Sequence, residues 1–263
     1  MRNTHYYSCV LRFLLSMYET LPNPLVFAHR GACAYAPENT LAAFALAHRQ
    51  GALAIEFDAK LTADGQVVII HDQTLERTTD GSGRVTALPL AALRELDAGS
   101  WFSADFHAEK IPTLDEIFES LGTKLFMNIE LTNYASPFDP LVERVAETVR
   151  KHALEQRVLF SSFFTHNLLR AARLLPQVPR GQLALPGRAG WWQRLWGGVI
   201  DLQAEHPFTG DVSAKSVAQA HARGRRVHVW TVNDPADMRR LKDLGVDGIF
   251  SDDPLQALEV FKP

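Results

Sequence analysis

Two cysteines in 263 residues are too few for a disulfide framework, and Cys9 and Cys33 lack the paired spacing of a structural zinc site. A reducing cytoplasm is the expected location. A large excess of either charge is missing as well: 27 Lys and Arg against 30 Asp and Glu leave a formal net charge of −3, with no basic stripe to neutralise a nucleic-acid backbone. Nucleic-acid binding is therefore not expected. No hydrophobic run is long enough to cross a bilayer. The N-terminal candidate, Val10 to Leu15, is broken by Arg12 and is not followed by the small-residue cleavage site of a signal peptide. Residues 1–24 read as an N-terminal extension, unstructured or upstream of a true start at Met17, ahead of a single domain over residues 25–263.

What the chain does have is a regular alternation of strand-like and helix-like segments. A hydrophobic content of 46% at this length supports one large core, and α/β barrels reach this size as one domain. Period-two apolar runs predict strands over Leu25 to Ala28, Ala54 to Ala59, Leu125 to Leu131, Val158 to Ser162, Gln182 to Leu185, Val199 to Gln203, Arg226 to Val232 and Gly248 to Ser251. Amphipathic stretches between them include Thr40 to Gln50, Leu141 to His152, His166 to Leu175, Ser213 to Arg223 and Pro235 to Leu244. Eight such strands define a (β/α)₈ barrel. Val67 to Ile70 follows too soon for a crossover helix, and Asp64-Gly65 is a hairpin signal, so this run is predicted to return antiparallel. A two-residue turn there would set Ala63 opposite Gln66, Lys60 opposite Ile69 and Asp58 opposite His71. Residues 73–112 read as a small insertion after that hairpin, with a helical pattern only over Ala91 to Leu96.

Polar and charged residues sit where these apolar runs end. His29, Glu56, Asp58, Glu130 and Trp230 all fall near carboxyl ends of predicted strands, the working end of such barrels. Glu56 and Asp58 are two apart, so on an extended strand they share one face. Three converging carboxylates repel one another unless a hard divalent cation binds their oxygens. Magnesium or calcium suits this set, with manganese third; zinc is disfavoured without Cys ligands or a His pair at helical spacing.

In this order the motifs closely resemble the glycerophosphodiester phosphodiesterase family. The matching pieces are His29-Arg30-Gly31 with Pro37-Glu38-Asn39-Thr40, Glu56-x-Asp58, Asp64-Gly65, His71-Asp72, Ile129-Glu130, Val229-Trp230-Thr231-Val232-Asn233 and the Gly248 to Pro254 ending. The resemblance runs from about Leu25 to the C-terminus. It implies a TIM barrel of the PLC-like phosphodiesterase type and metal-dependent hydrolysis of glycerophosphodiesters to sn-glycerol 3-phosphate and an alcohol. By the same resemblance Glu56, Asp58 and Glu130 are metal ligands, and His29 and His71 are the acid/base pair, with His29 assigned as base and His71 as acid. Arg30, Trp230, Glu38 and Thr132 are expected on the substrate side. Such chemistry wants these groups independently: a phosphodiester is anionic, so cations must offset its charge, and the leaving alkoxide needs a proton.

One departure stands out. Many family members carry Lys two residues after the third carboxylate, where this chain has Thr132. A threonine supplies no charge, and the missing contact would cost about 1.5–3 kcal/mol unless Arg30 or Lys60 compensates. Thr132→Lys is expected to raise turnover if that charge limits the enzyme. Trp191, Trp192 and Trp196, interleaved with Arg188 and Arg194, suit either a helix docked on the barrel or a weak peripheral lipid contact. Two other readings stay open beside the leading one: a lysophospholipase D-type enzyme acting on acylated glycerophosphodiesters, and a non-catalytic barrel that binds phosphodiesters. The sequence leaves the oligomeric state open.

Overall fold

Inside the barrel, the side-chain pattern of the strands switches from apolar to polar halfway up, and that switch creates the site. The computed structural model describes residues 17–190 and 200–262. Parallel strands β1 (Leu25–His29), β2 (Ala54–Leu61), β4 (Phe126–Leu131), β5 (Val158–Ser162), β6 (Arg180–Leu183), β7 (Ala204–His206), β8 (Arg226–Val229) and β9 (Gly248–Ser251) close on themselves through the β1–β2 and β1–β9 pairings. This is the expected (β/α)₈ TIM barrel. Its lower interior is filled by Phe27, Ala54, Phe126, Leu159, Ala204 and Phe250. Residues 17–24, part of the segment read as an extension, include the short helix Met17–Thr20, whose Tyr18 is buried and stacks on Phe126 at 5.7 Å.

Between the strands and the surrounding helices, Ile55, Phe57 and Ala59 of β2 and Met127, Ile129 and Leu131 of β4 face outward into the largest apolar cluster. Their alternation partners Glu56, Asp58 and Lys60, with Asn128, Glu130 and Thr132, face inward. The helices Leu41–Arg49, Leu114–Leu121, Leu141–Lys151 and Thr165–Leu174 cover this outer layer. Thr113 and Glu116 form a reciprocal capping box at the start of the second of them.

Two expectations need correction. The hairpin register differs by one residue: β3 (Val67–Ile69) pairs Ala59 with Ile69, Lys60 with Val68 and Leu61 with Val67. The turn holds three residues, Ala63 to Gly65, closed by the Thr62 N–H on the Gln66 carbonyl. Gly65, at φ +76°, takes the left-handed position that a type I turn with a bulge requires. Asp58 is therefore not opposite His71; His71 lies past the end of β3, where the backbone has left the ladder. The second correction concerns the sixth barrel strand, expected over Val199 to Gln203 and found at Ala204–His206. Ile200 and Leu202 have strand-like spacing, but they are spent on packing against Leu168.

The insertion folds over short turns and packs Leu75, Val85, Leu93, Ala98 and Ile111 against Val68 and Ile70 of the hairpin. Trp101, Phe102 and Phe106 form an edge-to-face chain within it. Trp191, Trp192 and Trp196, with the lipid contact expected of them, lie outside the described residues. Among the described residues no helix is long and apolar enough to cross a membrane.

Candidate active site

Strand register gathers the carboxylates. β1 sets His29 beside Glu56, and β4 sets Glu130 beside Asp58. Oxygens of Glu56, Asp58 and Glu130 lie within 4.8 Å of one another. Arg30 follows in a left-handed conformation, φ 55°, which aims its backbone N–H at Glu56 Oε2 at 3.1 Å. Gly31 allows the chain to turn away directly afterwards. A Cβ there would lie 2.7 Å from the backbone and Cβ of Ala43, and the φ of +88° suits glycine.

Burial and mutual repulsion push Glu56 well above the ordinary carboxyl range, with Asp58 and Glu130 as its charged neighbours. Glu130 is pushed up to about 8, first by burial and then by Asp58. Burial acts on Asp58 as well, but Arg30, His71, Lys60 and the Asn39 amide outweigh it and hold this carboxyl below its usual value. Asn39 Nδ2 donates to Asp58 Oδ2 at 2.9 Å, and Tyr134 donates to Glu130 Oε1 at 2.7 Å. Two buried carboxylates and a half-buried third, Glu130, that cannot all ionise in the protein alone fit a divalent cation. Asn128, whose Oδ1 has no protein partner, lines the same cavity.

Two imidazoles flank this trio, and each has a carboxylate on Nδ1. His29 Nδ1 lies 2.6 Å from Asp252 Oδ1, with Nε2 3.9 Å from Glu56; His71 Nδ1 lies 2.6 Å from Asp72 Oδ1. Ionised Asp252 and Asp72 place the Nδ1 protons and leave each Nε2 for proton exchange. His29, Arg30, Glu56, His71, Asn128, Glu130 and Trp230 all line one small cavity. A second cavity of about 630 Å³ adjoins it, sharing His71 and Glu130 and walled by Tyr134, Phe163, Phe164 and Leu185.

The remaining residues expected on the substrate side have distinct places. Trp230 walls the inner cavity and donates its Nε1–H to the His206 carbonyl at 2.8 Å. Glu38 joins two arginines: it accepts from Arg30 Nη1 at 2.9 Å and from Arg77 Nη1 at 2.7 Å. Thr132 is buried at the edge of the outer cavity and accepts from Lys60 Nζ at 2.7 Å. Asp252, Asn39, Tyr134 and Arg77 were not among the expected site residues. Asn39 sits in a left-handed conformation, φ 57°, with its side chain on Asp58, while helix capping falls to its neighbour Thr40.

A barrel mouth with three clustered carboxylates and two carboxylate-held histidines defines a hydrolase-type site. Residues 29–256 match the glycerophosphoryl diester phosphodiesterase family, and the chain belongs to that family. It is 38% identical over 231 residues to the glycerophosphodiester phosphodiesterase of Caldanaerobacter subterraneus subsp. tengcongensis, covering 88% of this chain and 94% of that one. The glycerophosphodiester phosphodiesterase of Bacillus subtilis is 32% identical over 253 residues, covering 88% of this chain and 84% of its own. Among solved structures, an Oleispira antarctica phosphodiesterase in complex with the product sn-glycerol-3-phosphate superposes with a TM-score of 0.85 at 36% identity. That match covers 94% of this chain and 99% of that one.

Proposed function

We propose that this chain is a metal-dependent enzyme that hydrolyses glycerophosphodiesters to sn-glycerol 3-phosphate and an alcohol. The observation that carries the reading is the pairing of the clustered Glu56, Asp58 and Glu130 carboxylates with two imidazoles whose Nε2 atoms are left for proton transfer. The trio would hold one divalent cation, magnesium or calcium with manganese third, which supplies charge neutralisation at the phosphoryl oxygens.

His29 takes a proton from the attacking hydroxyl, and its Nδ1–H stays on Asp252. His71 protonates the leaving alkoxide. This direction is supported by exposure: the His29 side chain is 18% exposed beside Glu56, whereas His71, at 42%, borders the outer cavity where a leaving alcohol has room. Each proton carrier contributes roughly 10²–10⁴ in rate. Arg30 already spends charge on Glu38 and Asp58 at 2.9 and 3.4 Å, so its role is to hold those carboxylates as well as to face the substrate. A cytoplasmic location belongs to this reading, supported by the low cysteine content of the sequence.

The apolar wall of the outer cavity favours one second reading, a lysophospholipase D-type activity on acylated substrates. Incubating the protein with glycerophosphocholine and with lysophosphatidylcholine, each with Mg²⁺, Ca²⁺ or EDTA, tests both. Release of choline and sn-glycerol 3-phosphate that EDTA abolishes is the expected result. If metal-supplied protein released no alcohol from any diester, a phosphodiester-binding barrel without catalysis would replace both readings.

A further inference from the structure

Lys60 carries a buried charge that, beyond its field on Asp58, has no part in the hydrolysis proposed above. It is 3% exposed, on the inward face of β2 two residues beyond Asp58. The register that pairs Asp58 with Glu130 brings it beside Thr132. Nζ donates to Thr132 Oγ1 at 2.7 Å and approaches the Thr132 carbonyl at 3.4 Å. The Thr132 hydroxyl donates its own proton to the Ala59 carbonyl at 2.7 Å, so a lone pair is left facing the ammonium. An ammonium has three donors. Among the described residues these two oxygens of Thr132 are its only hydrogen-bond partners.

Burying an ammonium against neutral oxygens is costly, and a packed apolar side chain would be cheaper. The other cations near the mouth are already paired: Arg30 with Glu38 and Asp58, Arg77 with Glu38 and Asp72. Lys60 pairs with no carboxylate among the described residues, yet it lines the outer cavity together with His71 and Glu130. Charge counting shows what it lacks. Three ionised carboxylates and one divalent cation sum to −1, and a phosphodiester adds −1, rising toward −2 on its oxygens as the nucleophile attacks. A fixed cation facing that point strengthens its contact as charge develops there.

We infer that Lys60 is a further catalytic residue, its ammonium contacting a non-bridging oxygen of the phosphodiester, and that Thr132 is the positioning residue that aims it. This rests on the hydrolytic reading above. Thr132 is thereby not a substitute for a missing cation but the holder of one supplied by the neighbouring strand.

Lys60→Met keeps an unbranched stem one atom shorter and removes the charge. Loss of a charge-assisted contact predicts a fall of about 10- to 150-fold in kcat/KM for glycerophosphocholine, with a similar weakening of sn-glycerol 3-phosphate binding measured by calorimetry. Mn²⁺ affinity and the thermal midpoint should not fall, since a buried charge is removed and no ligand is touched. The double variant Lys60→Met/Thr132→Lys returns an ammonium from the adjacent strand and should regain at least tenfold. Turnover and product binding within threefold of the parent in Lys60→Met would overturn the inference. So would a loss that tracks metal affinity or folding, or a double variant that regains nothing. Calorimetry with sn-glycerol 3-phosphate reads this contact without turnover, so a failure of hydrolysis and a failure of Lys60 are told apart.

Discussion

Replacing Asp252 with Asn tests whether the loop after β9 sets the proton chemistry of His29. Asp252 Oδ1 lies 2.6 Å from His29 Nδ1 and accepts from Cys33 Sγ at 3.2 Å, while Oδ2 accepts from Asn233 Nδ2 at 2.5 Å. Burial raises this carboxyl, but His29, Cys33 and Asn233 outweigh it and hold it at about 2. Asn keeps the shape, loses the charge and brings one oxygen to two sides that both need an acceptor. With the oxygen toward His29, its NH₂ meets the Asn233 amide; flipped, its NH₂ meets Nδ1 and forces the ring proton onto Nε2. A hydrogen bond to a charged group is worth about 1.5–3 kcal/mol, and the lower end applies because Asp252 is a third exposed. That predicts a loss of about 10- to 30-fold in kcat/KM with orientation kept, moving toward the ~10⁴ seen for a wrong tautomer in triad hydrolases if the ring switches. Metal affinity should not change, because Asp252 does not touch the carboxylate trio. The assay is choline release from glycerophosphocholine at saturating metal, with Mn²⁺ titrated separately. Activity within threefold of the parent would refute the assigned role of Asp252.

Other perturbations separate metal binding, support and stability. Glu130→Gln removes one of three mutually repelling carboxylates, so metal-dependent turnover should fall by about 10² or more while the metal-free midpoint holds or rises; a lower metal-free midpoint by calorimetry would contradict this. Tyr134→Phe strips the 2.7 Å bond to Glu130 and leaves the Phe163 N–H, now on the Tyr134 oxygen at 3.0 Å, without that acceptor. It should cost about 1–3 kcal/mol in urea unfolding and about 10- to 100-fold in metal affinity. Thr132→Lys alone would crowd a second ammonium against Lys60, so turnover should fall rather than rise, reversing what the bare sequence suggests. His206 and His228 are buried side by side in the lower barrel, 3.3 Å apart; burial holds His206 at about 3 and His228 well below its usual value. Depressed folded values mean that their contribution is complete above about pH 6.5 and is lost as pH falls toward 3, by up to about 1.4 kcal/mol per pH unit per histidine. Urea midpoints that stay flat from pH 7 to pH 4 would show that this pair is not held neutral.

Local alternation made the inward carboxylates legible, because a charged residue on an apolar strand has few places to go. Glu56, Asp58 and Glu130 were readable in this way, and so was the barrel that lines them up. Their partners were not, since nothing near Glu56 in the chain shows that Arg30 will take a left-handed turn to reach it. His29 and Asp252 are 223 positions apart, and only closure of β1 against β9 makes them neighbours. The hairpin error has a similar origin. Asp-Gly signals a turn but does not say whether two or three residues form it, and one residue reverses every facing. His71 still borders the site because it lies beyond the ladder, where register no longer dictates direction. Thr132 is the sharpest case. Read along its own strand it is a gap where a cation belongs, and only the pairing of β2 with β4 reveals that the charge arrives sideways, on Lys60. A site built across strands can receive a charge at one point in space from either neighbour, and one strand's sequence records only the residues that it contributes itself.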